Sequence, residues 1–140
     1  MSSNIRFFSE EIHFTFKNKG RTRNWLTNVL KEEKNSPQNI NYIFCSDDFL
    51  AELNKLYLHH NTYTDIITFP DLSHLKKIAG DVYISVERIK ENAEKYHQPF
   101  DIELARVMVH GILHLLGYKD KTPNDKELMT RKEDYYLNKF

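Results

Sequence analysis

Two histidines and an aspartate at short spacing have the clearest chemical potential in this chain: His110, His114 and Asp120, within the stretch HGILHLLGYKD. Residues four apart lie on one face of a helix, so the two imidazoles can bind a single cation. Gly117 offers a helix stop, because glycine readily adopts the left-handed conformation that follows a last turn. The chain can then reverse and return Asp120 to the imidazole pair. Three protein ligands leave one position for water, which is typical of a catalytic rather than a structural zinc site.

The surroundings of the histidines predict that they lie on a buried central helix. From position 103 to position 116 the sequence is apolar except at Gly111 and at four residues that share one helical face: Glu103, Arg106, His110 and His114. At about 100° per residue these four fall within an arc of roughly 80°. Because an unpaired buried polar group costs several kcal/mol, the stripe needs partners. It is either a metal site or a hydrogen-bonded pair of core histidines.

Gly111 narrows the chemistry of such a site. It stands directly after the first histidine, where the metalloprotease signature has its general-base glutamate. The site is therefore not an ordinary zincin. Since glycine costs about 1 kcal/mol relative to alanine inside a helix, its presence indicates a close approach by a ligand, by backbone or by a neighbouring element.

Composition excludes several classes of protein. The 140 residues are 40% hydrophobic and 29% charged, which is ordinary for one globular domain over residues 1–140. With 20 Lys and Arg against 20 Asp and Glu, no global positive charge marks a nucleic-acid-binding protein. The single cysteine, Cys45, cannot form an internal disulfide and is predicted to be a buried thiol. Without a signal-like N-terminus or an apolar run of about 20 residues, we expect a cytoplasmic protein with no membrane span.

The best candidate for a local nucleic-acid contact is the segment from position 17 to position 23. It carries four cations in seven residues: Lys17, Lys19, Arg21 and Arg23. Such a run is either an RNA-binding patch or merely solvated surface, and the sequence leaves both interpretations open.

The elements that must position these residues alternate between strand and helix. Strand-like patterns cover Ile5–Phe8, Ile12–Phe16, Asn39–Cys45, Asp65–Phe69 and Ala79–Ser85. Helical patterns cover Arg21–Glu33, a helix capped by Asp47 and Asp48 that runs to Tyr57, Val86–Tyr96, the central helix after Pro99, and Pro123–Asn138. This order predicts an α+β (α/β-like) fold in which about four strands form a mixed sheet and a central buried helix carries the site.

Three blocks of the sequence resemble the YbeY family. The stretch HGILHLLGYKD is similar to that family's HGxLHLxGYDH signature, residues 61–70 (NTYTDIITFP) resemble its D-x-x-T-D-V-L-S-F-P segment, and residues 80–85 (GDVYIS) resemble its G-D-I-x-I-S strand. Asn54 and Tyr57 also match the family's N-x-x-Y-R segment, so the matching positions together span Asn54 to Asp120. The chain length and the order of the motifs match as well.

The resemblance implies an activity and a set of partners. It implies a metal-dependent, single-strand-specific endoribonuclease that acts in ribosomal RNA maturation, at the 3′ end of 16S RNA, and in ribosome biogenesis. Ribosomal RNA and the small ribosomal subunit are the partners that it implies. The alternatives are a non-catalytic, ribosome-associated metal-binding protein and a metal-dependent hydrolase of a peptide or small molecule.

Two departures from the family pattern concern the chemistry. Asp120 stands where the family usually has a third histidine, so the implied ligands are two imidazoles and one carboxylate. This set suits one zinc ion per chain, and also other first-row metals. Leu58 stands where the family has an arginine. Arg106, on the ligand stripe, is our candidate to replace that cation by reaching the phosphate, and His59 and His60 are weaker candidates.

The sequence leaves the general base open. Asp65, Asp81 and Glu103 are candidates to orient the attacking water from outside the ligand set. The two aspartates can instead cap backbone groups at strand ends. Glu103 can instead pair with Arg106 or favour the start of its own helix.

Overall fold

The computed structural model describes residues 4–60, 63–73 and 77–140, which form four strands and five helices in an α+β fold. The strands are β1 (Ile5–Glu10), β2 (Pro37–Cys45), β3 (Ile66–Pro70) and β4 (Ile78–Ser85). The helices are α1 (Lys19–Glu32), α2 (Asp47–Leu58), α3 (Val86–Lys95), α4 (Phe100–Leu115) and α5 (Pro123–Leu137). Asn61 and Thr62, which begin the second family-like block, lie outside the described residues. No helix in the described part is both long enough and apolar enough to cross a bilayer.

One mixed sheet with the strand order β1-β2-β4-β3 forms the centre of the fold. β2 pairs in parallel with β1 and β4, whereas β3 pairs antiparallel with β4 at the edge. Parallel neighbours need a crossover, and α1 supplies the one between β1 and β2. The predicted four-stranded mixed sheet is confirmed.

Each face of the sheet has its own core, because successive side chains of a strand point to opposite faces. Tyr42 and Val82 belong to the main cluster, which α1, α4 and α5 complete. Cys45, Leu50 and Ile67 form a smaller cluster under α2 on the other face. The thiol of Cys45 is buried as predicted, and burial raises its pKa to about 12.

α4 is the predicted central helix. It packs against β3, β4 and the helices α1, α3 and α5. Gly111 permits the close contact with the sheet, because a Cβ atom there would lie 2.9 Å from Val82 Cγ1 and 3.1 Å from Ile66 Cδ1. The close approach that the sequence predicts at Gly111 is therefore an approach to the sheet.

Residues 12–16 are not the strand that their alternation predicts. Ile12, Phe14 and Phe16 do turn inward at every second position, and the Phe14 ring meets the Phe44 ring edge-on at 5.1 Å. A strand also needs a backbone partner, however, and Glu11, with φ of 53°, turns the chain away at the end of β1. Alternating burial predicted the extended course of this segment but not its hydrogen bonding.

The N-cap of α2 also differs from the prediction by one position. The hydroxyl of Ser46 caps the helix by accepting a hydrogen bond from the Phe49 N–H at 3.1 Å. Asp47 and Asp48 lie in the first turn instead, where their negative charge favours the helix dipole.

Tyr42 connects β2 to α4 through one buried hydrogen bond. Its side chain is 0% exposed, and its hydroxyl donates to the carbonyl of Met108 at 2.7 Å. We expect Tyr42→Phe to lower the free energy of unfolding by about 1 kcal/mol, because the ring packing stays and one buried hydrogen bond is lost. Urea denaturation followed by circular dichroism measures this change. The matched control is Tyr57→Phe, on a ring that is 63% exposed, and equal stability of the two variants would contradict the prediction.

Candidate metal centre

The side chains of His110, His114 and Asp120 converge on one point. The two Nε2 atoms lie 2.9 Å apart, and Oδ2 of Asp120 lies 3.2 Å from Nε2 of His114 and 3.5 Å from Nε2 of His110. Two nitrogens bound tetrahedrally to zinc at about 2.0–2.1 Å each would lie about 3.3 Å apart. The observed distances come close to this spacing, so the group could hold one metal ion.

The end of α4 brings the third side chain back to the other two. The helix ends at Leu115, and Gly117 follows with φ of 105°, in the left-handed region. The Gly117 N–H donates to the carbonyl of His114 at 2.9 Å, which closes the last turn. The chain then reverses and places Asp120 against the imidazoles, as the sequence predicts.

The outer nitrogen of each imidazole meets an acceptor. Nδ1 of His110 lies 2.6 Å from Oε2 of Glu133, and Nδ1 of His114 lies 3.0 Å from the backbone carbonyl of Tyr118. A carbonyl or an ionised carboxylate only accepts, so we assign the ring proton to Nδ1 in both histidines. Both Nε2 lone pairs then face the carboxylate of Asp120. Three acceptors this close repel one another unless a cation lies between them, so the donor set fits a metal ion.

Glu133 is a residue of the site that sequence analysis missed. It lies on α5 with its side chain 9% exposed, and its Oε1 accepts from Arg106 at 2.9 Å. A signal was present, because Met129 and Tyr136, four residues before and three after, are buried on the same face of α5. A charged residue within an apolar stripe needs a partner, and here the partner is a metal-ligand candidate on another helix.

The charges around His110 favour a cation at this place. Burial opposes protonation of the ring, but the hydrogen bond and charge of Glu133, with smaller effects of Asp120 and Asp65, outweigh burial and raise the pKa of His110. The environment of this imidazole is therefore negative overall.

Arg106 lies on the ligand stripe as predicted, but it contacts carboxylates of α5. Its guanidinium donates to Glu133 at 2.9 Å and to Asp134 at 2.7 Å. Burial opposes the charged form, yet these two hydrogen bonds raise the pKa of Arg106. The structure thus gives its two terminal nitrogens partners within the protein.

Asp65 and Glu103 lie near the histidine group. Asp65 comes directly before β3, outside the strand, and its charge interacts with those of His110 and Glu133. Burial raises the pKa of Asp65, while His110 partly opposes this shift. Glu103 is 6% exposed, and burial raises its pKa against the opposing charge of Arg106.

Asp81 lies on the other face of the sheet. Its neighbour Val82 faces α4, so strand alternation points Asp81 away from that helix. Its Oδ1 accepts a hydrogen bond from Asn41 at 3.0 Å across β2 and β4. The structure does not bring this carboxylate to the histidines.

Leu58 is the last residue of α2, on the face of the sheet opposite α4, and is 43% exposed. His59 and His60, which follow it, are also exposed. None of the three is among the contacts of the metal-ligand candidates in the described residues.

The basic segment 17–23 lies at the other end of α4. Lys17 and Arg21 line a groove together with Asp101, near the first turn of that helix. His114 is about 20 Å further along the helix axis at 1.5 Å per residue. The structure therefore does not bring the segment to the metal-ligand candidates.

The four cations of this segment differ in their contacts. The guanidinium carbon of Arg21 lies 4.4 Å from the ring centroid of Phe140, and Arg23 donates to a carbonyl of β1 at 2.9 Å. Lys17 and Lys19 are exposed. The two lysines stay candidates for an RNA contact at a distance from the metal centre.

Comparisons with known proteins identify the family. The model of the family described as Endoribonuclease YbeY matches residues 4–140. The chain belongs to the YbeY family. Among family members named Endoribonuclease YbeY, the protein of Cytophaga hutchinsonii is 46% identical over 134 residues, which are 96% of this chain and 94% of the relative. The protein of Flavobacterium psychrophilum is 48% identical over 133 residues, 95% of this chain and 94% of the relative.

A solved structure has a fold similar to that of this chain. The solution structure of a Thermotoga maritima protein matches with a TM-score of 0.67 at 28% identity, over 96% of this chain and 87% of that one. The resemblance inferred from three sequence blocks is thereby confirmed.

Proposed function

We propose that this endoribonuclease of the YbeY family is zinc-dependent and cleaves single-stranded ribosomal RNA. The observation that carries the proposal is the convergence of two imidazoles and one carboxylate at 2.9–3.5 Å. The two relatives described above are named endoribonucleases, which supports RNA as the substrate and argues against a peptide hydrolase or a non-catalytic metal-binding protein.

The biological setting forms the second part of the proposal. We propose that the enzyme matures the 3′ end of 16S RNA on the small ribosomal subunit, in the cytoplasm, and so contributes to ribosome biogenesis. The resemblance of three sequence blocks supports this setting, and a single buried thiol fits a reducing compartment.

Three residues of the site are the proposed metal ligands. His110, His114 and Asp120 would hold the ion through Nε2, Nε2 and Oδ2, a ligand set that suits zinc. When bound, the ion polarises a phosphoryl oxygen and makes water more acidic. Side-chain exposures of 20%, 24% and 42% for the three ligands leave the site open to a polymer.

Asp65 is the residue to which we assign proton transfer. In hydrolysis the attacking water loses a proton as its oxygen bonds to phosphorus, the ester P–O bond breaks, and the departing ribose oxygen takes up a proton. A carboxylate whose pKa burial raises is a better proton acceptor, and Asp65 is close enough to His110 for their charges to interact. Glu103 is the weaker candidate, because it lies about two helical turns before His110.

Metal removal tests the proposal. Chelator-treated protein is compared before and after addition of zinc, on a short single-stranded RNA and on a duplex of the same sequence. We expect chelation to abolish cleavage, about one equivalent of zinc to restore it, and the single strand to be cut in preference. Undiminished cleavage by metal-free protein would overturn the metal dependence, and equal cleavage of the duplex would overturn the strand preference.

The ribosomal setting needs a separate measurement. Small subunits that carry unprocessed 16S RNA are incubated with the zinc-loaded enzyme, and the 3′ end is mapped. We expect a defined new 3′ end that naked RNA of the same sequence yields less efficiently. Random cleavage of both substrates would overturn the proposed role in 16S RNA maturation.

A further inference from the structure

Arg106 and Glu133 form an ion pair directly behind His110, in which the side chain of Glu133 is 9% exposed and that of Arg106 is 35% exposed. We infer that Arg106 acts on the metal centre through Glu133 and not on an RNA phosphate. Both are positioning residues: together they fix the ring of His110 and the tautomer in which it can bind metal. The inference rests on the proposed function only in taking the three-residue group as a metal site.

The two carboxylate oxygens of Glu133 have different partners. Oε2 lies 2.6 Å from Nδ1 of His110, and Oε1 lies 2.9 Å from NH1 of Arg106. Rotation of the carboxylate would break one contact or both, so the arginine sets the direction from which the glutamate meets the imidazole. A carboxylate with this little exposure also needs a nearby cation, and Arg106 provides it.

The two histidines depend on different parts of the fold. Nδ1 of His114 meets the carbonyl of Tyr118, which the turn at the end of α4 holds in place. Nδ1 of His110 meets a side chain that comes from α5. The orientation of His110 therefore depends on how α5 docks on α4, and the Arg106–Glu133 pair joins these two helices beside the ring. The second contact of Arg106 is to Asp134, whose side chain is 57% exposed, so that contact adds little to the docking. A carboxylate behind the ring increases the basicity of Nε2 toward a metal.

Arg106 is poorly placed to serve a phosphate instead. Each of its terminal nitrogens donates to a carboxylate of α5. Turning the guanidinium away from α5 toward RNA would leave Glu133 as an uncompensated anion beside His110. The same movement would release the imidazole from its fixed orientation, so we assign Arg106 to the metal centre.

Zinc affinity of the full-length protein tests the inference, measured by competition with a chromophoric chelator. We expect Glu133→Gln and Arg106→Ala each to weaken zinc binding by about 10–100-fold, the range typical for loss of an outer partner of a metal-binding histidine. Arg106→Lys should fall between Arg106→Ala and the wild type. Asp134→Asn is the matched control, because Asp134 is the other partner of Arg106 but does not contact a histidine, and its zinc affinity should stay unchanged.

A nuclear magnetic resonance measurement gives a readout of the hydrogen bond itself. In zinc-loaded, ¹⁵N-labelled protein the Nδ1 proton of His110 should resonate far downfield, since it is shared with a carboxylate. We expect this signal to move upfield in Glu133→Gln and in Arg106→Lys and to stay in place in Asp134→Asn. An unmoved signal in Glu133→Gln would overturn the inference.

The outcomes separate this inference from the proposed function. If Arg106→Ala keeps the zinc affinity of the wild type and loses only RNA cleavage, Arg106 acts on the substrate and the inference is wrong. If wild-type protein binds zinc but cuts no RNA, the proposed function is wrong and the inference stands. Should Arg106→Ala fail to fold by circular dichroism, Glu133→Gln, which preserves shape, and Arg106→Lys, which preserves charge, decide the question.

Discussion

Substitution of His114 by alanine is expected to abolish zinc binding and RNA cleavage together. The variant removes the imidazole whose Nε2 lies 2.9 Å from that of His110 and 3.2 Å from the carboxylate of Asp120. Only one imidazole and one carboxylate then remain to hold the ion. Since a metal contributes several kcal/mol to transition-state stabilisation, we expect cleavage to fall by about 10³-fold or more. Elemental analysis of the purified variant and a single-stranded RNA cleavage assay measure the two losses.

Two further variants show whether the loss is specific to the site. His13→Ala removes an exposed histidine outside the helices and strands, and it should keep both the zinc content and the activity of the wild type. Asp120→Ala leaves both imidazoles in place, so we expect weaker zinc binding but a smaller loss than in His114→Ala. Full zinc content in His114→Ala, or normal cleavage by that variant without zinc, would show that the ligand assignment is wrong.

The convergence of the three candidate metal ligands could be predicted from sequence because their arrangement is local. His110 and His114 are neighbours on one helical face whatever the rest of the fold does, and Gly117 dictates the reversal that returns Asp120. Helix α4 could be predicted for the same reason, because the spacing of its apolar residues is a property of the local sequence alone.

The surroundings of the ligands could not be predicted in the same way, because they depend on packing between distant elements. Glu133 meets His110 only when α5 docks on α4, and a hydrophobic pattern does not specify which charged residue will oppose which. Asp81 fails to face the histidines because one residue along a strand reverses the face. Arg106 has the predicted position, but the two carboxylates that bind it come from α5.

Asp65→Asn is expected to lower the turnover number by about 10²–10⁴-fold while leaving zinc content unchanged. The amide has nearly the shape of the carboxylate, so the packing at the start of β3 should survive. What the variant loses is a proton acceptor whose pKa burial raises and whose charge interacts with that of His110. Turnover and KM are measured on single-stranded RNA with zinc-loaded protein, and the loss should appear in turnover and not in KM.

Asp81→Asn is the matched control for this experiment, because it makes the same chemical change at a carboxylate that points away from α4 and hydrogen-bonds Asn41. We expect the turnover of this control to stay near that of the wild type. Equal losses of turnover in both variants would mean that the loss in Asp65→Asn comes from lower stability and not from a missing proton acceptor. Zinc loss in Asp65→Asn would instead mean that its charge helps to hold the ion. Only a fall in turnover at full zinc content that occurs in Asp65→Asn and not in Asp81→Asn fits proton transfer by Asp65.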